Sequence, residues 1–233
     1  MNQELLRQYL AYYRDLGIDT LYRRGTAPAG RGSESSQRVT EPRPEGAVPT
    51  ESLAQIRQDI GDCRRCRLHE GRSKIVFGAG SEHAKLVFVG EGPGADEDEQ
   101  GVPFVGRAGQ LLTQMIEAMG FRREEVFIAN ILKCRPPENR DPRPDEVEAC
   151  REYLDGQIAC IKPRLICTLG RPALQTLVDP KASIAKVHAQ VIEQEGLTFV
   201  PLYHPAAGLH NKAMQASIIE GFDKLREILE RYG

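Results

Sequence analysis

The sequence predicts an α/β protein: a three-layer sandwich in which a mostly parallel central sheet of about four strands is flanked by helices. Two observations carry this. Apolar, strand-like runs at residues 86–89, 126–131, 165–169 and 199–203 are separated or followed by helical patterns at 107–119, 144–158, 171–177 and 212–231. Strand–helix alternation of this kind builds a parallel sheet with helices on both faces. The chain has 233 residues, enough for one substantial domain with appendages, and no internal repeat interrupts the pattern.

Taken in order, residues 1–22 open with Leu5, Leu6, Tyr9, Leu10, Tyr13 and Leu16 at helical spacing, an amphipathic helix whose partner the sequence does not name. Residues 23–51 are rich in Pro, Gly, Ser and charge, cannot bury a core, and are expected to form a flexible linker. The folded domain is expected to span 52–233. The helix beginning at Pro144 has a proline for its first turn, and Asp145 and Glu146 complement its dipole.

Composition narrows the function classes. No apolar run approaches membrane-spanning length, and the first residues lack the basic-then-apolar order of a secretion signal, so a cytoplasmic protein with no membrane partner is expected. A net charge of −2 excludes a bulk polycation, so any nucleic-acid binding must come from a local basic patch.

In a parallel sheet, ligands sit beyond the carboxyl ends of the strands. That rule selects Gly90–Glu91, Asn130, Gly170–Arg171 and His204–Pro205. The first opens GEGPGADEDEQGVPFVGRAG, a glycine-rich loop carrying five carboxylates. Such a loop would repel phosphate. Its GEGPGA also departs from a dinucleotide fingerprint, because a proline falls inside it and no helix is expected to start at once, and no GK[ST] follows for a P-loop. Gly90, Gly92 and Gly94 instead let the backbone approach a flat ring closely. Phe104 on the same loop is either a core plug or a stacking platform. Asn130 either caps a turn or reads a base edge, its amide accepting from one ring atom and donating to another. His204 at a strand end is either structural or catalytic.

The cysteines form a second constellation. Cys63-Arg-Arg-Cys66 is a CxxC pair, Cys134 follows the second strand, and Cys150 lies in the next helix. Two ligands from one turn and two from distant elements suit a tetrahedral four-thiolate site; the competing reading is a redox pair with unrelated buried cysteines. Spacing does not separate zinc from an iron–sulfur cluster. Cys160 and Cys167 sit in apolar surroundings and read as small buried hydrophobes. Around the four candidate ligands lie Arg64, Arg65, Arg67, Arg72, Lys74, Lys133, Arg135, Arg140 and Arg143, either a solvated face or a phosphate-tracking patch.

Gly90-Glu-Gly-Pro-Gly94, Gly101–Leu112 (GVPFVGRAGQLL), Asn130, Lys133–Pro142 (KCRPPENRDP) and His204-Pro205-Ala206 together resemble the motifs of the family 4, iron–sulfur uracil-DNA glycosylases, over roughly Leu53 to Arg231. The resemblance implies a monofunctional DNA-repair enzyme that flips uracil out of DNA, hydrolyses its N-glycosidic bond and leaves an abasic site. It implies a [4Fe–4S] cluster on Cys63, Cys66, Cys134 and Cys150, with a structural or DNA-positioning role. It makes His204 and Glu91 the catalytic pair. His204 would stabilise charge on uracil O2, and Glu91 would stabilise the electron-poor sugar or orient water. Gly90, Gly92, Glu97, Phe104 and Asn130 would bind the base, with Glu97 crowding the C5-methyl of thymine. Leu209 would wedge into the gap left by the base, and His210, Arg135 and Arg140 would contact DNA. Two departures stand out: Gly92 replaces the usual alanine, and Leu209-His210 stands where Leu-Arg is common. The partner is expected to be uracil-containing DNA and the protein a monomer. The competing functions are an iron–sulfur or zinc-stapled nucleic-acid-binding protein without catalysis, and a nucleotide-dependent iron–sulfur oxidoreductase.

Overall fold

In the computed structural model, residues 52–209 and 211–232 are described, and they form a six-stranded mixed sheet with helices on both faces. The expected N-terminal helix and linker, and His210, lie outside the described residues. In chain order the strands are β1 (Ala79–Gly80), β2 (Leu86–Gly90), β3 (Phe127–Asn130), β4 (Leu165–Leu169), β5 (Ile192–Gln194) and β6 (Leu197–Leu202). The α-helices are α1 (Leu53–Ile60), α2 (Ala95–Gln100), α3 (Arg107–Ala118), α4 (Pro144–Ile161), α5 (Arg171–Leu177), α6 (Ile184–Val187) and α7 (Lys212–Tyr232).

The sheet runs β1-β3-β2-β4-β6-β5. Its four central strands are mutually parallel, as expected, and the short edge strands β1 and β5 pair antiparallel with β3 and β6. Neither edge is legible in the sequence. They are two and three residues long and partly exposed, so they lack the apolar run that marks a buried strand. Every residue of β2, β3 and β4 is buried, and alternate side chains feed two separate cores. Val87, Val89, Phe127 and Ala129 meet α1 and α4 on one face, through Leu53, Ile56, Tyr153, Leu154 and Ile158. Leu86, Phe88 and Ile128 meet α3 and α7 on the other, through Leu112, Ile116, Ile218, Phe222 and Leu225.

The acidic loop is not irregular throughout. A helix does begin directly after Gly94, contrary to expectation, because the Glu97 carboxylate turns back to accept from the Gly94 N–H at 3.1 Å and closes the first turn of α2. Helix α4 starts by the same device: Glu146 accepts from the Arg143 N–H at 2.9 Å. Fully buried, Glu146 also takes the Arg140 guanidinium in two hydrogen bonds of 2.8 and 2.5 Å, which pins the proline-rich segment ahead of the helix. Among the described residues, no helix is long and apolar enough to cross a membrane.

β2 lies at the centre, with β3 on one side and β4 on the other. The chain therefore reverses its direction across the sheet here, and in open α/β sheets the carboxyl ends of strands at such a point are where ligands bind.

Candidate active site

Gly90, at the end of β2, is where two of the candidate side chains meet. A methyl group on it would lie 2.5 Å from Asn130 Oδ1 and 2.5 Å from Phe104 Cζ, so only a glycine lets the amide and the ring meet above the backbone. Phe104 is held there under strain. Its φ is 53°, a left-handed conformation that a bulky side chain rarely adopts. Two contacts impose it. Glu97 Oε1 accepts from the N–H groups of Val105 at 2.8 Å and Gly106 at 2.9 Å, and Gly109 of α3 packs its bare Cα against the Phe104 carbonyl.

Asn130 is 2% exposed, and its Oδ1 has no hydrogen-bond partner. A buried acceptor left open costs about 1–3 kcal/mol, so it is a place where a ligand donor would be rewarded. The His204 ring lies 5.5 Å from that of Phe104, tilted by 31°. Gly170, with φ of 88°, sits against the His204 Cβ and leaves room for it. The Ala206 N–H donates to His204 Nδ1 at 3.1 Å, which assigns the ring proton to Nε2. Burial pushes the imidazole down to about 4, against a smaller opposing pull from Glu97, so the ring is neutral at physiological pH. The result is a neutral Nε2–H donor on a ring beside Phe104, whose edge also lies near the open Asn130 Oδ1.

Glu91 follows Gly90 and is half-buried. Burial raises its pKa first, Asp141 adds to the rise, and Arg171 lowers it. These last two pair with each other at 2.7 Å, Arg171 Nη2 donating to Asp141 Oδ2. The strand-end rule pointed to Gly170–Arg171 without assigning a role, and nothing in the sequence set Asp141 beside Glu91. Gly92 is looser than Gly90: a Cβ there would meet Leu132 and Pro136 at 3.6 Å, an ordinary contact. Asp98, one of the five loop carboxylates, is the one that turns inward. It is 5% exposed and accepts from the Ser73 N–H with both oxygens at 3.0 Å. No sequence signal separates it from its solvated neighbours.

Cys63, Cys66, Cys134 and Cys150 come together from the turn after α1, the segment after β3, and α4. All are free thiols. The charge of Cys63 bears on Cys66, those of Cys66 and Cys63 on Cys134, and those of Cys134 and Cys66 on Cys150. Arg72 Nη1 donates to Cys134 Sγ at 3.4 Å and to the Cys63 carbonyl at 2.6 Å, and Tyr153 Oη reaches Cys63 Sγ at 3.9 Å. Burial raises Cys66 and Cys134 and pushes Cys150 up to about 11, and a bound metal would take the place of their protons. Among the described residues, no group of three or more Cys, His, Asp or Glu is gathered tightly enough to hold a single metal ion. Four neighbouring thiols flanked by cations are a soft donor set that fits a metal or an iron–sulfur cluster. Cys167 is fully buried and donates to the Val200 carbonyl at 3.2 Å; Cys160 is only half-buried.

The basic surroundings divide in two. Lys133, 1% exposed, donates inward to the Asn130 carbonyl at 3.0 Å and to Gln157 Oε1 at 2.7 Å, and the Arg72 side chain is 7% exposed. Neither faces a phosphate, which corrects their inclusion in an outer patch. Arg64 pairs with Asp62, Arg65 with Glu152, and Arg140 with Glu146. Arg135 is exposed only in part and donates to Asn139 Oδ1 at 2.9 Å. Leu209 ends the 205–208 turn, half-buried at the protein surface.

Residues 77–231 match the family model described as the uracil DNA glycosylase superfamily. The chain is 46% identical over 186 residues to a Type-4 uracil-DNA glycosylase of Archaeoglobus fulgidus, a match covering 76% of this chain and 94% of the relative. It is 45% identical over 188 residues to a Type-4 uracil-DNA glycosylase of Sulfurisphaera tokodaii, covering 76% and 85%. A Type-5 uracil-DNA glycosylase of Pyrobaculum aerophilum is more distant, 26% identical over 171 residues, covering 66% and 75%.

Proposed function

The chain belongs to the uracil-DNA glycosylase superfamily and is a DNA-repair enzyme, a uracil-DNA glycosylase; from that premise we propose how its own residues carry the reaction. The observation that weighs most is the open Oδ1 of Asn130 beneath the Phe104 ring. Uracil flipped from DNA stacks on Phe104 and offers N3–H to Asn130 Oδ1, while the amide N–H donates to O4. Cytosine has no proton on N3 and an amino group at C4, so it mismatches the amide twice. Glu97, anchored by three backbone N–H groups, cannot swing aside, and the loop it holds crowds a C5-methyl and rejects thymine.

As the bond between C1′ and uracil N1 breaks, its electron pair moves onto the ring and charge grows on O2. The neutral Nε2–H of His204 donates to that oxygen. The sugar is left electron-poor, and Glu91 supplies the negative charge that stabilises it and orients the water whose oxygen bonds to C1′. The water's proton passes to solvent and the departing uracil anion takes a proton from solvent, so the products are uracil and an abasic site. Leu209 fills the gap in the stack. Arg135 and His210 are assigned to the DNA backbone on the family resemblance; Arg140 is better suited to hold the loop through Glu146, with its outer edge toward DNA.

Cys63, Cys66, Cys134 and Cys150 would hold a [4Fe–4S] cluster, whose chemistry here is a rigid covalent staple between the loop after α1, the end of β3 and α4. The test of the whole reading is a uracil-containing oligonucleotide incubated with the protein and then treated with alkali. Wild type is expected to yield strand breaks, and Asn130→Asp to lose at least about 100-fold in rate, because a carboxylate cannot donate to O4. Full activity in Asn130→Asp would remove the edge-reading role.

A further inference from the structure

A groove of about 250 Å³ lies between α3, the 205–208 turn and the start of α7, lined by Arg107, Gln110, Gln114, Leu209 and Gln215 among others. Arg107, Gln110 and Gln114 recur at three- and four-residue intervals and share one face of α3. Gly109, Leu112 and Ile116 form its buried side, with Gly109 against the Phe104 carbonyl. Helix α3 is thus the wall between the base pocket and this groove. The four polar side chains are exposed, and among the described residues none of them makes a hydrogen bond or ion pair. That sets Arg107 apart from Arg64, Arg65, Arg72, Arg140 and Arg171, each of which is paired with a carboxylate. No carboxylate lines the groove. One free guanidinium beside three free amides matches a phosphodiester with its attached sugar and base edges.

The turn that joins pocket to groove gives the direction. His204 stands at its start, facing Phe104, and Leu209 stands at its end, lining the groove. A side chain wedged into a duplex has the flipped nucleotide on one side and the facing strand on the other. We propose that this groove is a subsite for the DNA strand opposite the uracil, with Arg107 on a phosphate and Gln110, Gln114 and Gln215 on sugar or base edges. The assignment rests on the uracil-DNA glycosylase reading and on Leu209 as the wedge.

The experiment compares Arg107→Ala and the double variant Gln110→Ala/Gln114→Ala with wild type on one uracil oligonucleotide, free and annealed to its complement. Melting temperatures confirm that the variants fold. The ratio of duplex to single-strand kcat/KM is expected to fall about tenfold. In parallel, fluorescence anisotropy reads binding to both forms, and the salt slope of duplex binding is expected to drop by about one for Arg107→Ala. Equal losses on both substrates, or no loss on the duplex, would overturn the subsite. If the enzyme reading itself failed, every oligonucleotide would stay intact with wild type, while the anisotropy ratio would still decide whether the groove holds the second strand.

Discussion

Two glycines separated by one residue have opposite tolerances. At Gly90 a methyl group would collide with Asn130 Oδ1 and with the Phe104 ring, and at Gly92 it would find ordinary contacts and an unstrained backbone. Gly90→Ala is therefore expected to lose uracil excision by 100-fold or more while the protein still folds. Gly92→Ala is expected to stay active and gain about 0.4–1 kcal/mol from the lower entropy of its unfolded chain. Denaturant melts and excision rates measure both. The two neighbours of Glu91 pull its proton affinity in opposite directions. If Glu91 works as the carboxylate, excision falls as the pH drops through its raised pKa. Arg171→Ala removes the cation that lowers it, so the acid limb should move to higher pH; Asp141→Asn removes an anion that raises it, so the limb should move to lower pH. A limb that ignores both changes would detach Glu91 from the chemistry. The sequence named Gly90, Phe104, Asn130 and His204 through their places at strand ends and in motifs. It could not name Asp141, because an exposed carboxylate in a proline-rich loop carries no mark of the residue it will face.

Elements rather than single side chains decide the shape of the pocket wall. Helix α2 leaves no mark in the sequence, because ADEDEQ is too short and too polar to show a helical period. What makes it a helix is the Glu97 cap, and what docks it is Asp98, buried against the Ser73 N–H. Ser73 follows Arg72, which in turn holds Cys134 and the Cys63 carbonyl, so the acidic loop and the cysteine site share one strut. Asp98→Ala is expected to cost about 1.5–3 kcal/mol, the range for a hydrogen bond to a charged group, and to raise KM as the loop loosens. A stability loss with unchanged KM would confine Asp98 to a structural role.

Across the whole molecule, the cysteine site joins α1's loop, β3 and α4 on the core face away from α3 and α7. Cys150→Ser is expected to lose bound iron and the visible absorbance that goes with it. The melting temperature should fall on the order of 10 °C, since loss of a structural metal group is among the few changes that cost more than about 4 kcal/mol. Wild type containing zinc and no iron would rule out the cluster.

The sequence by itself determined the four parallel strands, the helices α3, α4, α5 and α7, the strand ends proposed to carry the site and the four cysteines, because buried periodicity and ordered motifs are local properties of a chain. Only the tertiary structure decided which charges turn inward. Asp98, Glu146 and Lys133 read as surface residues beside their neighbours, and each is buried because a partner distant in the fold or across a turn—the Ser73 N–H, the Arg140 guanidinium, the Asn130 carbonyl and Gln157—offsets its desolvation. A charge becomes part of a core through its partner, and the partner is known only when the chain has closed.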